Sequence, residues 1–97
     1  ESLKLHQADI VEFVRYIGSG FKELATNRSI KFSIESECPG MNIWFDDTKM
    51  QRILNNIYSN AFKFTPDGGL ISTIVATEKK DEKIFVRIEI RYRMWNQ

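Results

Sequence analysis

The sequence predicts an α+β fold, a two-layer α/β sandwich with helices packed on one face of a mixed, mainly antiparallel sheet. Two long segments repeat apolar residues at three- and four-residue steps, and several short ones alternate apolar with polar. They run in the order strand, helix, two strands, helix, two strands, with no internal repeat and no low-complexity stretch. At 97 residues and 11.4 kDa, with 42% hydrophobic and 28% charged residues, the chain is one domain or part of one.

The opening Leu3-Lys4-Leu5-His6 alternates and reads as a short strand. Asp9, with Glu12 three residues on, forms an acidic variant of the capping box and starts a helix. Ile10, Phe13, Val14, Ile17, Phe21, Leu24 and Ala25 give that helix one apolar face to about Thr26. Gly18 and Gly20 weaken it by about 1 kcal/mol each relative to Ala, so the helix is either kinked there or closely approached by another backbone. Ile30, Phe32 and Ile34 alternate with Lys31, Ser33 and Glu35, a half-buried strand that Cys38-Pro39-Gly40 ends. A second short strand covers 41–45. Asp46, Asp47 and Thr48 offer N-caps to a second helix with an apolar face of Met50, Ile53, Leu54, Ile57 and Ala61, stopped before Pro66 by a Pro-Asp-Gly-Gly turn. Residues 70–77 and 84–92 read as strands, joined as an antiparallel hairpin through Lys79-Lys80-Asp81-Glu82-Lys83.

Composition excludes several functions. Fourteen Lys plus Arg against 13 Asp plus Glu leave a net charge of +1, with no electrostatic footprint for nucleic acid or an anionic membrane. One cysteine, Cys38, forms no internal disulfide and cannot build a structural zinc site, which fits a reducing compartment. A Ser-His-Asp triad would hang on the single histidine, His6, without a nucleophile elbow. No apolar run approaches the roughly 18 residues of a membrane span. With Glu1 first, the chain is expected to be part of a longer protein.

The second helix carries the chemistry. At 100° per residue, Asn56, Asn60 and Lys63 fall within about 60° of one another, away from the line through Met50, Ile57 and Ala61. Asn is a poor helix former, so its use at 55, 56 and 60 has a local cost. An amide oxygen is a hard ligand for Mg²⁺, its NH₂ donates to phosphate oxygens, and Lys63 adds positive charge, a set that suits a magnesium-bridged polyphosphate. By spacing alone, a solvated helix face that tolerates Asn is the readier account.

The whole string NNIYSNAFKFTPDGG, Asn55 to Gly69, resembles the N box of sensor histidine kinases: Asn, three residues, Asn-Ala, any residue, Lys, an aromatic, Thr-Pro and an acidic-Gly-Gly turn. The helix start at Asp46-Asp47-Thr48-Lys49-Met50 and the following hairpin fit as well, and the resemblance runs to about Arg91. It implies the ATP-binding catalytic domain of such a kinase, with the Bergerat (GHKL) fold shared with gyrase and MutL-type ATPases and an N box at 56–65. Asn56 and Asn60 would then bind Mg²⁺ and the phosphates, Lys63 would contact phosphate, and Phe64, where the family often has Tyr, would line the nucleotide pocket. Asn56 stands where the related ATPases carry a general-base Glu. An amide cannot take a proton from water, so the implied site holds ATP for transfer to another nucleophile. The implied partners are a separate dimerisation domain bearing the phosphoacceptor histidine and the receiver domain of a response regulator. The implied location is the cytoplasmic part of a kinase anchored in the bacterial inner membrane. His6-Gln7-Ala8-Asp9 lacks the His-Glu-aliphatic-basic-polar-Pro surroundings of the phosphoacceptor, so His6 is read as structural.

The resemblance then breaks. The family continues into a glycine box resembling Asp-x-Gly-x-Gly, whose Asp bonds the adenine amino group. Here Tyr92 stands at the Asp position and Arg93-Met94-Trp95-Asn96-Gln97 holds no glycine. The lid and second glycine box have no counterpart. The expectation is a single, C-terminally truncated domain over 1–97, inactive alone, with weak or absent ATP binding and an exposed edge or apolar patch that invites self-association. Arg87, Arg91 and Arg93 read as a solvated strand face. A degenerate, non-catalytic interaction module of the same fold is the second reading, supported by the tail 93–97.

Overall fold

The computed structural model describes residues 2–94; Trp95, Asn96 and Gln97 of the tail 93–97 lie outside the described residues. Its elements are β1 (His6–Asp9), α1 (Ile10–Ser19), α2 (Lys22–Asn27), β2 (Lys31–Ser36), β3 (Asn42–Phe45), α3 (Asp47–Phe64), β4 (Leu70–Lys80) and β5 (Lys83–Arg93). The main sheet has the order β2-β4-β5, with β2 parallel and β5 antiparallel to β4. β1 and β3 form a separate antiparallel ribbon, His6 opposite Phe45 and Asp9 opposite Asn42. The architecture is the expected α+β class with a mixed sheet.

Register decides which residues meet the helices. Phe32 pairs with Ile71, Ile34 with Thr73, and Thr73 with Ile90, so these side chains share one face. Against that face, Ile10, Val11, Val14 and Ile17 of α1 close the core with Leu54 and Tyr58 of α3. A second cluster, Ala25, Ile30, Ala61, Phe62 and Ile71, fills the space under α2. On the opposite face of the sheet, Arg87 pairs with Glu78 and Glu89, and Arg91 with Glu89, so these two arginines of the basic strip are held in a surface ion-pair chain.

Three sequence expectations are corrected. The first strand lies at His6–Asp9 and not at residues 3–6, because pairing with β3 sets it and Lys4 instead gives its backbone N–H to the Asp46 carboxylate. The single helix to Thr26 is two. Gly20 and Phe21 donate to Ile17 and Gly18 at three-residue spacing, and the break turns the Phe21 ring in between Tyr58 and Phe62, at 5.3 and 5.5 Å. What crowds Gly18 is a side chain and not a backbone: a Cβ there would lie 2.2 Å from Ile34 Cδ1. Finally, the buried face of α3 is Leu54, Tyr58, Ala61 and Phe62, whereas Ile53 and Ile57 are 52% and 40% exposed. The helix is rotated relative to the simple aliphatic reading, with Tyr58 and Phe62 filling the core.

Candidate functional site

The 18 residues of α3 are fixed at both ends and along one side. At the start, Asp46 accepts from Lys49 N–H at 3.0 Å and from Lys4 N–H at 3.1 Å. The Lys4 N–H is the largest cause holding that carboxyl below its ordinary range, followed by Lys49 N–H. Midway, the buried Tyr58 hydroxyl meets Thr73 Oγ1 at 2.5 Å, which pins the rotation of the helix against β4. At the end, Thr65 donates to the Ala61 carbonyl, and Gly68 takes φ +82° in the turn toward β4.

With that rotation fixed, Asn56, Asn60, Lys63 and Phe64 are all exposed on α3. Lys63 Nζ lies 5.5 Å from the centroid of the Phe64 ring, within reach of a cation–π contact. Lys63 also sits in the last helical turn, where a cation is favoured by the helix dipole. The structure therefore puts the expected site residues on one accessible side of one helix.

The sequence reading missed the apolar companion of this stripe. Met50, Ile53, Leu54 and Ile57 line a cleft of about 250 Å³ with Ile88 and Ile90 of β5. On the helical wheel, Ile53, Ile57 and Phe64 fall within about 40°, between the core face and the Asn face. The signal was present in that position, but it was absorbed into an assumed core. His6 is not brought to the stripe. It lines a different cleft of about 270 Å³ with Lys4, Asp47 and Arg52, around the start of α3, about 20 Å along the helix from Asn60. Tyr92 is exposed on β5, opposite Ile71.

No protein-family model matches the chain. Histidine kinase P4 of Formosa agariphila is 30% identical over 103 residues, covering 99% of this chain and 8% of its own length. Sensor histidine kinase TmoS of Ectopseudomonas mendocina is 44% identical over 69 residues, covering 71% of this chain and 7% of its own length. Among solved structures, the catalytic domain of histidine kinase ThkA superposes with a TM-score of 0.83 at 21% identity, over 93% of this chain and 60% of that one. The chain belongs to the histidine kinases and has the fold of their catalytic domain. It spans less than a tenth of the length of the two curated relatives and about three fifths of the ThkA catalytic domain. Full-length ShkA, solved in complex with AMPPNP, shares the fold of this histidine kinase segment with a TM-score of 0.75 at 24% identity, over 93% of this chain and 19% of that one. ThkA in complex with the response regulator TrrA gives 0.75 at 22% identity, over 89% and 25%. Among the described residues of the segment, no helix is long and apolar enough to cross a membrane.

Proposed function

We propose that the chain is the ATP-binding part of a two-component sensor histidine kinase, holding the nucleotide polyphosphate along Asn56, Asn60 and Lys63. The observation that carries this reading is the exposed face of α3, where two amides, an ammonium and the Phe64 ring lie beside the apolar Ile53-Ile57-Ile88-Ile90 cleft. Polar groups on a helix face that adjoins an apolar slot suit a ligand with a charged tail and a flat apolar base. The ShkA complex with AMPPNP supports the choice of nucleotide.

The donor set fits Mg²⁺ arriving with that nucleotide. Among the described residues no group of three or more His, Cys, Asp or Glu could hold a metal, whereas the Asn56 and Asn60 amide oxygens are hard donors for an ion already bound by phosphate. Mg²⁺ would neutralise phosphate charge there. Asn56 has no basic atom to draw a proton from water, so the site protects the γ-phosphate for transfer. In the parent protein the acceptor is a histidine on the dimerisation domain, and the phosphoryl group passes on to a response-regulator receiver domain. The ThkA–TrrA complex supports that last partner. The proposal takes 1–97 as one segment of the catalytic domain, on the cytoplasmic side of a membrane-anchored parent, and inactive by itself. Self-association belongs to the same reading: β5 has one strand neighbour among the described residues, and Ile84 and Phe85 on it are exposed.

Calorimetric titration of the chain with AMPPNP and Mg²⁺, alongside an Asn60→Ala variant, tests the site. Binding is expected in the first and lost in the second, with unchanged circular dichroism. Equal binding by both removes the stripe from the site. Tyr92, standing where the family's adenine-reading Asp is expected, favours a second reading as a non-catalytic module of the same fold, which absence of binding in the unsubstituted chain would select.

A further inference from the structure

We propose that Arg28 is a positioning residue for anion binding on α3, closing the carbonyl end of the helix that presents Lys63 and Phe64. The inference rests on the reading of the Asn56-Asn60-Lys63 stripe as a polyphosphate site. A helix ends in carbonyls without intrahelical donors and carries about −0.5 charge there, whereas anions are favoured at the opposite terminus. The stripe runs toward the unfavourable end. A polyphosphate beside Asn60 and Lys63 would meet the negative pole of α3 unless something covered it.

Arg28 covers it. Its guanidinium reaches across more than thirty residues of sequence, Nη1 donating to the Phe62 carbonyl and Nη2 to the Thr65 carbonyl at 2.5 Å. Nε donates to Asp67 at 2.7 Å, and the Arg28 carbonyl accepts Gly68 N–H at 3.0 Å. These four contacts bracket Lys63 and Phe64 and tie the turn that follows them to the end of α2. The side chain is 27% exposed, so its charge is partly shielded from solvent where it meets the carbonyls. Asp67 returns a negative charge, but at 75% exposure it is the better screened of the two. The planar fork matters beside the charge, because three separate guanidinium nitrogens donate to three separated acceptors, whereas an ammonium carries all its donors on a single nitrogen.

The test compares Arg28→Gln, Arg28→Lys and Asn60→Ala with the unsubstituted chain, using Mg²⁺-AMPPNP and uncharged adenosine as probes. Arg28→Gln keeps donors without charge and is expected to weaken AMPPNP by about three- to fivefold, leaving adenosine affinity unchanged. Arg28→Lys is expected to recover part of the loss. Unchanged AMPPNP affinity in Arg28→Gln overturns the inference, and so does an equal loss for both probes, which would mark a purely structural bond. Asn60→Ala separates the two readings: if it binds like the unsubstituted chain, the stripe reading fails. If it alone loses binding, only the role of Arg28 fails. No binding by the unsubstituted chain overturns both.

Discussion

Tyr58 holds the helix that carries the candidate site without being part of that site. Its phenol is fully buried, burial pushes its pKa up, and its polar partner among the described residues is Thr73 Oγ1, itself buried. Tyr58→Phe strands the Thr73 hydroxyl, and a buried polar group left unpaired costs about 1–3 kcal/mol. Thr73→Val strands the phenol in the same way. Urea melts of both single variants and the double variant are expected to show clear losses in the singles and a double loss smaller than their sum. Additive losses would mean that the two hydroxyls do not stabilise one another. The same pair explains what was legible at this scale. Asn56, Asn60 and Lys63 were readable because their juxtaposition is a property of helix geometry. That Ile53 and Ile57 line a cleft was not, because the rotation of α3 depends on Tyr58, Phe62 and the sheet beneath.

Between elements, the junction of α3 with β4 is closely packed at Gly69. A Cβ added at Gly69 would lie 2.5 Å from Thr65 Cγ2, 2.8 Å from the Arg93 carbonyl oxygen and 2.9 Å from that of Pro66. Two of those neighbours are backbone and cannot step aside as a flexible side chain can. Gly69→Ala is expected to destabilise the chain by about 1–3 kcal/mol, whereas Gly68→Ala meets no atom within 4 Å and suffers only the strain of its positive φ. A thermal melt in which Gly69→Ala is as stable as the unsubstituted chain would refute the packing argument. The order of the elements was legible because periodicity and turn residues are local. The break between α1 and α2 was only half so: the glycines flagged it, but the reward for breaking there, the Phe21 ring against Tyr58 and Phe62, is a contact across more than 30 residues.

At the scale of the whole molecule, two carboxylates fasten the β1–β3 ribbon to the helices. Asp9 caps α1 by accepting from Val11 at 2.9 Å and Glu12 at 3.3 Å, and also takes Met41 N–H at 3.1 Å. Asp46 caps α3 and takes Lys4 N–H from 42 residues earlier in the chain. Met41 N–H is the largest cause lowering Asp9 below its ordinary 3.8, and Lys4 N–H does the same for Asp46. A carboxyl whose folded pKa lies below its unfolded value binds fewer protons in the native state. Its contribution is complete above the unfolded value and lost as pH falls through the folded one. Stability owed to these two groups is therefore flat from neutral pH to about 5 and declines below about 4. The double variant Asp9→Asn with Asp46→Asn keeps two oxygen acceptors but removes both titrations. It is expected to melt lower than the unsubstituted chain at pH 6 and to lose less on going to pH 3. If the two proteins lose equal stability over that interval, other carboxylates govern acid unfolding, and the ribbon is held by its strand pairing and by Phe45 in the core.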